Sequence, residues 1–373
     1  MTTQPVSHPD WTVSDYAHMA HALRLAELGL YSASPNPRVG CVLVRDGIIV
    51  GTGWHQKTGE AHAEIHALNE AGARAHGATA YVTLEPCSHH GRTPPCADAL
   101  IKAGIHRVIA AMQDPNPQVA GQGLARLNAA GITAECGLLE AQAQELNLGF
   151  IQRMRQQRPW LRIKTAASLD GRTALANGIS QWITSADSRH DVHRWRARSC
   201  AILTGIGTIL ADDPRLSVRD VETPRQPMRV IVDSQLRTPM QAAILRETNV
   251  LIAYAHAPDS QQQALRTTGA ELIALPDNQG QVDLRQLLGL LAQRGINEVL
   301  TEAGAALNGA LIQAQLADEW IAYTAPILLG NSARGLFNLP AFADLTSPIT
   351  PEIRDVRHIG SDLRLIARFN WQK

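Results

Sequence analysis

The sequence carries no excess of either charge. Lys and Arg together number 34, Asp and Glu together number 34, and the formal net charge of the 373 residues is zero. No basic stripe and no acidic tail stands out, so nucleic-acid binding through bulk electrostatics is not indicated. The chain also lacks any apolar run that approaches about 18 residues, which predicts no membrane span. Its first dozen residues are polar, which predicts no signal peptide.

Cysteine is scarce as well. The five cysteines are odd in number and scattered along the chain, at Cys41, Cys87, Cys96, Cys136 and Cys200. This usage favours a reducing cytoplasm and thiolate ligands over a disulfide framework. We therefore expect a cytoplasmic protein. A hydrophobic content of 45% and a charged content of 18% are typical of a globular chain.

The length predicts two domains, and both halves alternate strands with helices, which predicts α/β domains with helices packed on a sheet. The sequence predicts a long polar helix over residues 139–157 that ends at Arg158-Pro159. We place the boundary there and predict domains over residues 1–150 and 158–373. The clearest predicted elements are a helix over 13–30, a hairpin of 39–44 and 48–53, helices over 62–73 and 124–130, strands near 160–166, 201–204, 228–232, 250–253 and 298–301, and antiparallel strands within 353–369.

Four residues of the first half point to metal chemistry. His62, Cys87 and Cys96 offer three zinc ligands, and three protein ligands leave the fourth position open, as in catalytic zinc sites. Zinc lowers the pKa of the water bound there, and Glu64 is placed to carry protons between that water and a leaving amine. This order matches the zinc-deaminase signature H-x-E…P-C-x-x-C. It departs from it in one respect, because residues 88–95 separate the two cysteines.

Spacing constrains how these residues can meet. His62 and Glu64 are two apart and cannot share one face of a regular helix, so we expect them at a helix start. Pro95 predicts that Cys96 also lies in a first helical turn, where the helix dipole stabilises a thiolate. His66 lies four residues after His62, but the H-E-x-x-H motif of metalloproteases needs its Glu directly after the first His.

Two other interpretations of this cluster stay open on the residues alone. A disulfide between Cys87 and Cys96 is the main alternative, and the cysteine usage argues against it. A structural zinc site would need a fourth protein ligand and would have no use for Glu64.

Longer strings in the first half resemble a known family. The run from Glu85 to Cys96, with Ser34-Pro-Asn-Pro-Arg-Val-Gly-Cys41 and Gly53-Trp-His55, resembles the deaminase of riboflavin biosynthesis within the cytidine/deoxycytidylate deaminase superfamily. The resemblance implies that His62, Cys87 and Cys96 bind zinc and that Glu64 is the proton shuttle. It further implies substrate contacts at Asn36, His55 and Arg92, the last near the ribose phosphate. Taken alone, Asn36 is also a turn residue between prolines, and His55 is also an ordinary surface histidine.

Glycines of the second half give a weaker signal. Gly205 and Gly207 follow a predicted strand, but Leu210 occupies the third glycine position of G-x-G-x-x-G, so the Rossmann fingerprint is absent. The small residues 303–310 follow another strand and lead into a helix. Such a turn either seats a phosphate or simply caps the helix.

The second half resembles the reductase of riboflavin biosynthesis. The resemblance rests on the strings 164–171, 205–208, 211–216 and 302–304. It implies a dihydrofolate-reductase-like fold that uses NADPH. The deaminase-then-reductase order is that of the bacterial bifunctional family.

By matched position, the resemblance implies a substrate set and a cofactor set in this half. The substrate set is Lys164, Ser180, Arg196, Leu216, Arg219 and Glu302. The NADPH set is Ala166, Trp182, Thr208, Asp212, Ser234 and the turn Gly304, Ala305, Ala306, Leu307, Asn308, Gly309 and Ala310. Core packing for Trp182, capping for Asp212 and a solvated charge for Arg196 remain alternatives.

The expectation is a bifunctional enzyme of riboflavin synthesis, with a cytidine-deaminase-like α/β/α domain followed by a dihydrofolate-reductase-like α/β domain. Zinc-dependent deamination of 2,5-diamino-6-(5-phosphoribosylamino)pyrimidin-4-one would precede reduction of the ribosyl chain to ribityl by NADPH, with Lys164 and Glu302 as catalytic groups. We expect a small-molecule pyrimidine ribonucleotide substrate and a homo-oligomer, dimer or tetramer. The rival is a nucleic-acid base deaminase with an accessory domain, which would need a basic groove.

The preference for NADPH over NADH can be predicted from particular residues. NADPH needs a cation or hydrogen-bond donors at its 2′-phosphate, where NAD sites often place an acidic residue. Ser234 and Arg237 are the candidates, provided that the carboxylate of Asp233 turns away.

Overall fold

The structure is a computed structural model that describes residues 10–88, 94–117, 119–345 and 348–371. The chain divides into two compact units, Met1–Gln156 and Gln157–Lys373. Both are α/β, which confirms the predicted fold class. The predicted substrate residue Arg92 lies outside the described residues. No helix within the described ranges is long and apolar enough to cross a membrane.

The first unit pairs a sheet with helices. Its described elements are α1 (Val13–Glu27), β1 (Gly40–Arg45), β2 (Ile48–Trp54), α2 (Ala63–Ala71), β3 (Thr79–Val82), α3 (Cys96–Lys102), β4 (Arg107–Ala110), α4 (Gln122–Ala129), β5 (Thr133–Cys136), α5 (Glu140–Leu146) and α6 (Leu148–Gln156). The strands are ordered β2-β1-β3-β4-β5. β1 is antiparallel to β2 and β3, whereas β3, β4 and β5 run parallel.

Two glycines show which helix covers which face of this sheet. A Cβ on Gly40 would lie 2.0 Å from the carbonyl oxygen of Ala22 in α1. The next residue, Cys41, pairs with Gly53, where a Cβ would lie 2.2 Å from the carbonyl oxygen of Ala63 in α2. Successive residues of a strand point to opposite faces, so α1 and α2 lie on opposite faces. Only glycine allows each helix to approach the sheet so closely.

The predicted helix over 139–157 is wrong as a single element. It is interrupted at Asn147, which has φ −117° and ψ 20° and is 1% exposed. The Asn147 side chain accepts a hydrogen bond from the Arg38 amide at 2.8 Å and donates to the Arg38 carbonyl at 3.0 Å. This tertiary pairing breaks the helix into α5 and α6. The first helix, α1, likewise ends at Glu27 and not at residue 30.

The second unit is built on a larger sheet. Its described elements are β6 (Trp160–Ser168), β7 (Arg172–Ala174), α7 (Ala186–Arg198), β8 (Ala201–Gly205), α8 (Ile206–Asp212), β9 (Met228–Val232), β10 (Val250–Tyr254), α9 (Asp259–Arg266), β11 (Glu271–Ala274), α10 (Leu284–Gln293), β12 (Glu298–Glu302), α11 (Ala305–Gln313), β13 (Glu319–Ala325), β14 (Arg334–Gly335), β15 (Glu352–Ile359) and β16 (Asp362–Arg368). Nine strands are ordered β11-β10-β9-β8-β12-β6-β13-β16-β15, and β14 pairs separately with β7.

Strand directions place a crevice at one end of this sheet. The pairs from β11 through β13 are parallel, whereas β16 is antiparallel to β13 and β15, as predicted for the tail. Lys164 in β6 pairs with Glu302 at the end of β12. Helices α8 and α11 start directly after β8 and β12. In α/β sheets, ligands bind outside the carboxyl ends of the strands, and these ends meet here.

Candidate functional site

Two helix starts and one loop form the first site. His62 is the N-cap residue of α2, with extended φ −76° and ψ 166°, so Glu64 falls in the first turn, as their spacing requires. Cys96 is the first residue of α3, after Pro95. Cys87 lies in the segment that follows β3. Helix starts let side chains two residues apart converge because the chain is still entering the helix.

The three predicted ligands lie close enough to hold one ion. Their ligand atoms are all within 4.8 Å of one another. His62 Nδ1 lies 3.2 Å from Cys96 Sγ and 3.7 Å from Cys87 Sγ. Tetrahedral zinc with ordinary bond lengths needs ligand separations of roughly 3.5–3.8 Å. The donor set and the His62–Cys87 distance fit zinc, and the His62–Cys96 distance is somewhat shorter than this range. None of the five cysteines, all within the described ranges, forms a disulfide.

The sulfur environment favours a thiolate. A hydrogen bond from Cys96 is the main influence on the Cys87 thiol, and with His62 it outweighs burial and lowers the pKa of Cys87 to about 4. The Cys96 amide also donates to Cys87 Sγ at 3.3 Å. A thiolate is the form that binds metal.

Glu64 is enclosed beside the ligands. Its residue is 3% exposed, and burial, then the negative charge of Cys87, raises the pKa of the carboxyl to about 7. It is not a member of the three-ligand cluster. A carboxyl that is held near a metal site without binding the metal is available to move protons.

Asn36 and His55 lie on the same site. The His55 ring centroid is 5.4 Å from that of His62. His55 Nδ1 lies 3.2 Å from the Ala61 carbonyl, which can only accept, so Nδ1 donates. Burial lowers the pKa of His55, which favours the neutral ring, so His55 Nε2 accepts from Asn36 Nδ2 at 3.0 Å. This leaves the Asn36 carbonyl oxygen to accept a hydrogen bond from a substrate.

A cavity of about 1970 Å³ forms the second site, at the carboxyl ends of the parallel strands. It brings together nearly all of the residues predicted for the reductase half: Lys164, Ala166, Ser180, Trp182, Arg196, Thr208, Asp212, Leu216, Arg219, Ser234, Glu302, Gly304, Ala305, Ala306, Leu307, Asn308 and Ala310. Gly309 is the exception, since it does not line the cavity, and its assignment to NADPH stays a prediction. A Cβ on Gly309 would lie 2.1 Å from the carbonyl oxygen of Asn338, so this residue packs against backbone.

A short chain of charges lies within the cavity. Arg196 donates to both carboxylate oxygens of Glu302, at 2.6 and 3.0 Å. Lys164 Nζ lies 3.8 Å from Glu302 Oε2. Burial alone would raise the pKa of Glu302, but the charge and hydrogen bonds of Arg196, with the charge of Lys164, lower it to about 2. Burial lowers the pKa of Lys164, against the opposing charge of Glu302. Glu302 is thus held as an anion, whereas Lys164 can release a proton more readily than an exposed lysine.

Two helices begin at the cavity. Gly205 and Gly304 are the N-cap residues of α8 and α11, and neither helix has a side-chain cap. No capping side chain accepts from the first amides of either helix, an arrangement that suits a phosphate. A Cβ on Gly207 would meet nothing within 4 Å.

Asp233, Ser234 and Arg237 are placed differently from one another. Asp233 is fully buried and accepts from the amide and hydroxyl of Thr238, each at 2.7 Å, so it does turn away from the cavity. The Ser234 hydroxyl donates to Gln281 at 3.1 Å. Arg237 lines the cavity and is exposed.

One helix face was missed from the sequence. Arg189 and His193 line the cavity with the predicted Arg196, and these three follow the i, i+4, i+7 spacing of one helix face. The Arg189 guanidinium carbon lies 4.6 Å from the centroid of the Trp182 ring. His193 Nδ1 accepts from the Arg219 amide at 3.2 Å. Resemblance predicted Arg196 as a site residue. The helical spacing along α7 would have predicted Arg189 and His193 on the same face.

Two protein families match the chain. The family described as cytidine and deoxycytidylate deaminase zinc-binding region matches residues 12–112, which include the ligand cluster. The family described as RibD C-terminal domain matches residues 159–365, which form the cavity.

Curated relatives and solved structures match nearly the whole chain. The riboflavin biosynthesis protein RibD of Escherichia coli (strain K12) is 50% identical over 368 residues, covering 95% of this chain and 99% of the relative. Its counterpart from Haemophilus influenzae is 47% identical, covering 95% and 98%. The structure of Acinetobacter baumannii RibD aligns with a TM-score of 0.89 at 45% identity, covering 96% and 99%. A Thermotoga maritima structure, named as a diaminohydroxyphosphoribosylaminopyrimidine deaminase/5-amino-6-(5-phosphoribosylamino)uracil reductase, aligns with a TM-score of 0.84 at 32% identity, covering 96% and 99%.

Proposed function

The chain belongs to the RibD family of riboflavin biosynthesis proteins, and from that membership we propose which residues carry out its two reactions. It is a bifunctional deaminase and reductase, with a zinc-binding deaminase domain and an NADPH-dependent reductase domain. We propose the substrates that the name of the Thermotoga maritima relative states: the diaminopyrimidine ribosylamino-phosphate for the deaminase, and its deaminated product for the reductase.

Deamination is assigned to the cluster around Glu64. The observation that carries this assignment is the meeting of three metal-ligand atoms with one buried carboxyl that is not a ligand. Zinc, when bound by His62, Cys87 and Cys96, supplies a water molecule of lowered pKa. Glu64 would accept the proton that the attacking water loses and return it to the departing amine, so that ammonia leaves as a neutral molecule.

Orientation of the pyrimidine falls to Asn36 and His55. Their mutual hydrogen bond fixes the Asn36 amide, so its carbonyl oxygen presents one acceptor to a ring N–H or amine. The neutral His55 ring lies edge-on to His62 and adds no positive charge beside the zinc ligands. Arg92 keeps its proposed role at the ribose phosphate.

Reduction is assigned to the cavity of the second unit. NADPH, when bound, would supply the hydride that reduction at C1′ of the ribose requires. A proton must reach the ring oxygen that becomes a hydroxyl. Glu302 is held ionised by Arg196, so it cannot donate that proton. Lys164 can, and Glu302 keeps Lys164 charged and oriented toward the sugar.

Substrate and cofactor occupy different parts of the cavity in this proposal. Ser180, Arg196, Leu216 and Arg219 contact the substrate, and the α11 start with Ala166, Trp182, Thr208, Asp212 and Ser234 contacts NADPH. Arg237 is assigned to the 2′-phosphate because the Ser234 hydroxyl hydrogen is already donated to Gln281.

One incubation tests both assignments. The purified chain is given the diaminopyrimidine nucleotide with and without NADPH, and product masses are measured. Without NADPH, the mass change should be that of an amine exchanged for a carbonyl. With NADPH, two hydrogens should be added. Absence of the first change contradicts the deaminase assignment, and absence of the second contradicts the reductase assignment.

Assembly and compartment are proposed on separate observations. β15 is an edge of the nine-stranded sheet, and Ile353 and Val356 on it are 61% and 55% exposed. These two exposed apolar side chains on an edge strand support a homo-oligomer, dimer or tetramer, which light scattering after gel filtration tests. Two thiols that must stay reduced to bind zinc support a cytoplasmic location, and fractionation of cells tests it.

A further inference from the structure

Glu85 is a buried carboxylate two residues before the proposed zinc ligand Cys87. It is 5% exposed and accepts hydrogen bonds from four backbone amides. Oε1 accepts from Gly123 at 2.8 Å and Leu124 at 3.3 Å. Oε2 accepts from Gly121 at 2.9 Å and Asp114 at 3.1 Å. Hydrogen bonds to an ionised acceptor are stronger than neutral ones, so this side chain holds a second segment firmly against its own.

That segment is the start of helix α4. Its N-cap residue is Gly121, with φ 78°, and no side chain of its own caps the helix. The amides of Gly123 and Leu124 would be left without partners in an uncapped first turn. Glu85 accepts from both, so it acts as the cap of α4 from a distant part of the chain.

Backbone packing makes the same connection. A Cβ on Gly123 would lie 2.0 Å from the carbonyl oxygen of Pro86. The first turn of α4 therefore lies directly against the peptide that precedes Cys87, and a larger residue at position 123 would push the two apart.

Further along α4, one side chain contacts the helix that begins with the second cysteine ligand. Arg126 lies 2.5 Å from the Asp98 carboxylate, in the first turn of the helix that begins with Cys96. It also donates to the Ser88 carbonyl at 3.4 Å. The Ala97 amide donates to the Cys87 carbonyl at 3.2 Å. Arg126 is 44% exposed, so its ion pair is worth little alone, and Glu85 is the main connection.

We propose that Glu85 is a positioning residue for the metal site: by capping α4, it fixes the backbone that delivers the Cys87 sulfur. It does not touch substrate or metal. Residues behind metal ligands hold the ligand geometry and so set how tightly the metal is kept. The inference rests on the proposed zinc assignment and extends it to a residue outside the ligand set.

The test measures zinc release from the full-length protein. Glu85→Gln keeps the shape but turns one acceptor oxygen into a donor that faces other donors. We expect zinc transfer to a chromogenic chelator to become about ten- to a hundredfold faster, as is typical for lost support of a ligand. Cobalt(II) in the same protein should show a changed visible spectrum, because its thiolate geometry changes. Reductase activity of the same preparation shows that the second unit remains folded.

A matched control separates positioning from general stability. Thr12→Ala removes the side-chain cap of α1, where Thr12 accepts from the Asp15 amide at 3.1 Å. It weakens a helix of the same unit and should leave zinc release and the cobalt spectrum unchanged. Equal acceleration in Thr12→Ala and Glu85→Gln would overturn the proposal.

A second variant keeps the proposal testable if Glu85→Gln does not fold. Gly123→Ala leaves Glu85 intact and pushes α4 from Pro86, so it should also speed zinc release. Wild-type release rates in either folded variant would refute the positioning role. A wild-type protein without zinc at His62, Cys87 and Cys96 would instead refute the deaminase assignment, so the two failures are distinguishable.

Discussion

Replacing Glu302 with glutamine tests the charge chain of the reductase cavity. Glu302→Gln keeps the shape but removes the negative charge between Arg196 and Lys164. At a separation of 3.8 Å and an effective dielectric of about 20, Glu302 and Lys164 attract each other by at most about 4 kcal/mol. Loss of that attraction makes the charged form of Lys164 less favourable, so its pKa falls further below its usual value.

The expected kinetic effect follows from the sign of that change. A lysine that donates a proton is active below its pKa, so reductase activity falls as pH rises through the pKa of Lys164. In Glu302→Gln, that decline should move to lower pH. Since proton transfer contributes about 10²- to 10⁴-fold, we expect kcat/KM at neutral pH to fall at least tenfold. Deamination, carried by the other unit, should be unchanged.

Stability should change as well. The glutamine loses one charge-assisted hydrogen bond to Arg196, which should lower the free energy of unfolding by about 1.5–3 kcal/mol. For a unit of this size, that loss lowers Tm by about 3–12 °C. The Glu302 pKa is lowered from 4.5 to about 2, so its stabilisation is complete above pH 4.5 and is lost as pH falls through about 2. The difference in Tm between wild type and Glu302→Gln should therefore narrow as pH falls from 4.5 to about 2.

Glu298 provides the matched control on the same strand, β12. It is 1% exposed and pairs with Arg162 and Arg198, but it does not line the cavity. Glu298→Gln should lower Tm and leave the alkaline decline in place. The reasoning is refuted if the alkaline decline in reductase activity keeps its wild-type pH in Glu302→Gln, or if it moves equally far in Glu298→Gln.

The remaining predictions concern both sites. Glu64→Gln should abolish deamination and retain zinc, whereas Cys87→Ser should lose both; metal analysis that shows zinc lost in the first variant contradicts the roles. Arg237→Ala should raise KM for NADPH and leave KM for NADH unchanged, and an unchanged NADPH KM in steady-state assays removes Arg237 from the 2′-phosphate. A fragment ending at Gln156 should bind zinc and deaminate the substrate, because it keeps helix α6 whole. Arg153 in that helix donates to the carbonyl of Pro35, next to the predicted substrate residue Asn36. A fragment cut at residue 150 should lose most deaminase activity in the same assay.

Local patterns account for what the sequence predicted. Two of the three predicted zinc ligands, His62 and Cys96, lie at helix starts. The spacing of His62 and Glu64 marks the first start in the sequence, and Pro95 marks the second. Strand order and the break at Asn147 depend on partners far along the chain. The Asn147 side chain pairs with the backbone of Arg38, which lies more than a hundred residues away in the sequence. Periodicity cannot report such a partner.

In the second unit, resemblance predicted the site by matched position and could not show how each residue packs. It located the cavity residues by position, but it could not show that Gly309, unlike its neighbours, packs against the Asn338 backbone and does not line the cavity. It also left out Arg189 and His193, which only the turn of α7 places beside Arg196. The capping of α4 by Glu85 was likewise invisible, since the acceptor and the helix lie 36 or more residues apart.

The closeness of Cys87 and Cys96 also governs how the protein must be handled. With zinc removed, two sulfurs within 4.8 Å form a dithiol in which one member is already a thiolate at neutral pH. Thiolates are the species that oxidise. When metal is removed in air, Cys87 and Cys96 should therefore form a disulfide. The protein should then bind no zinc at this site until a reductant is added. The second unit holds only the buried Cys200, so reduction by NADPH should survive the same treatment.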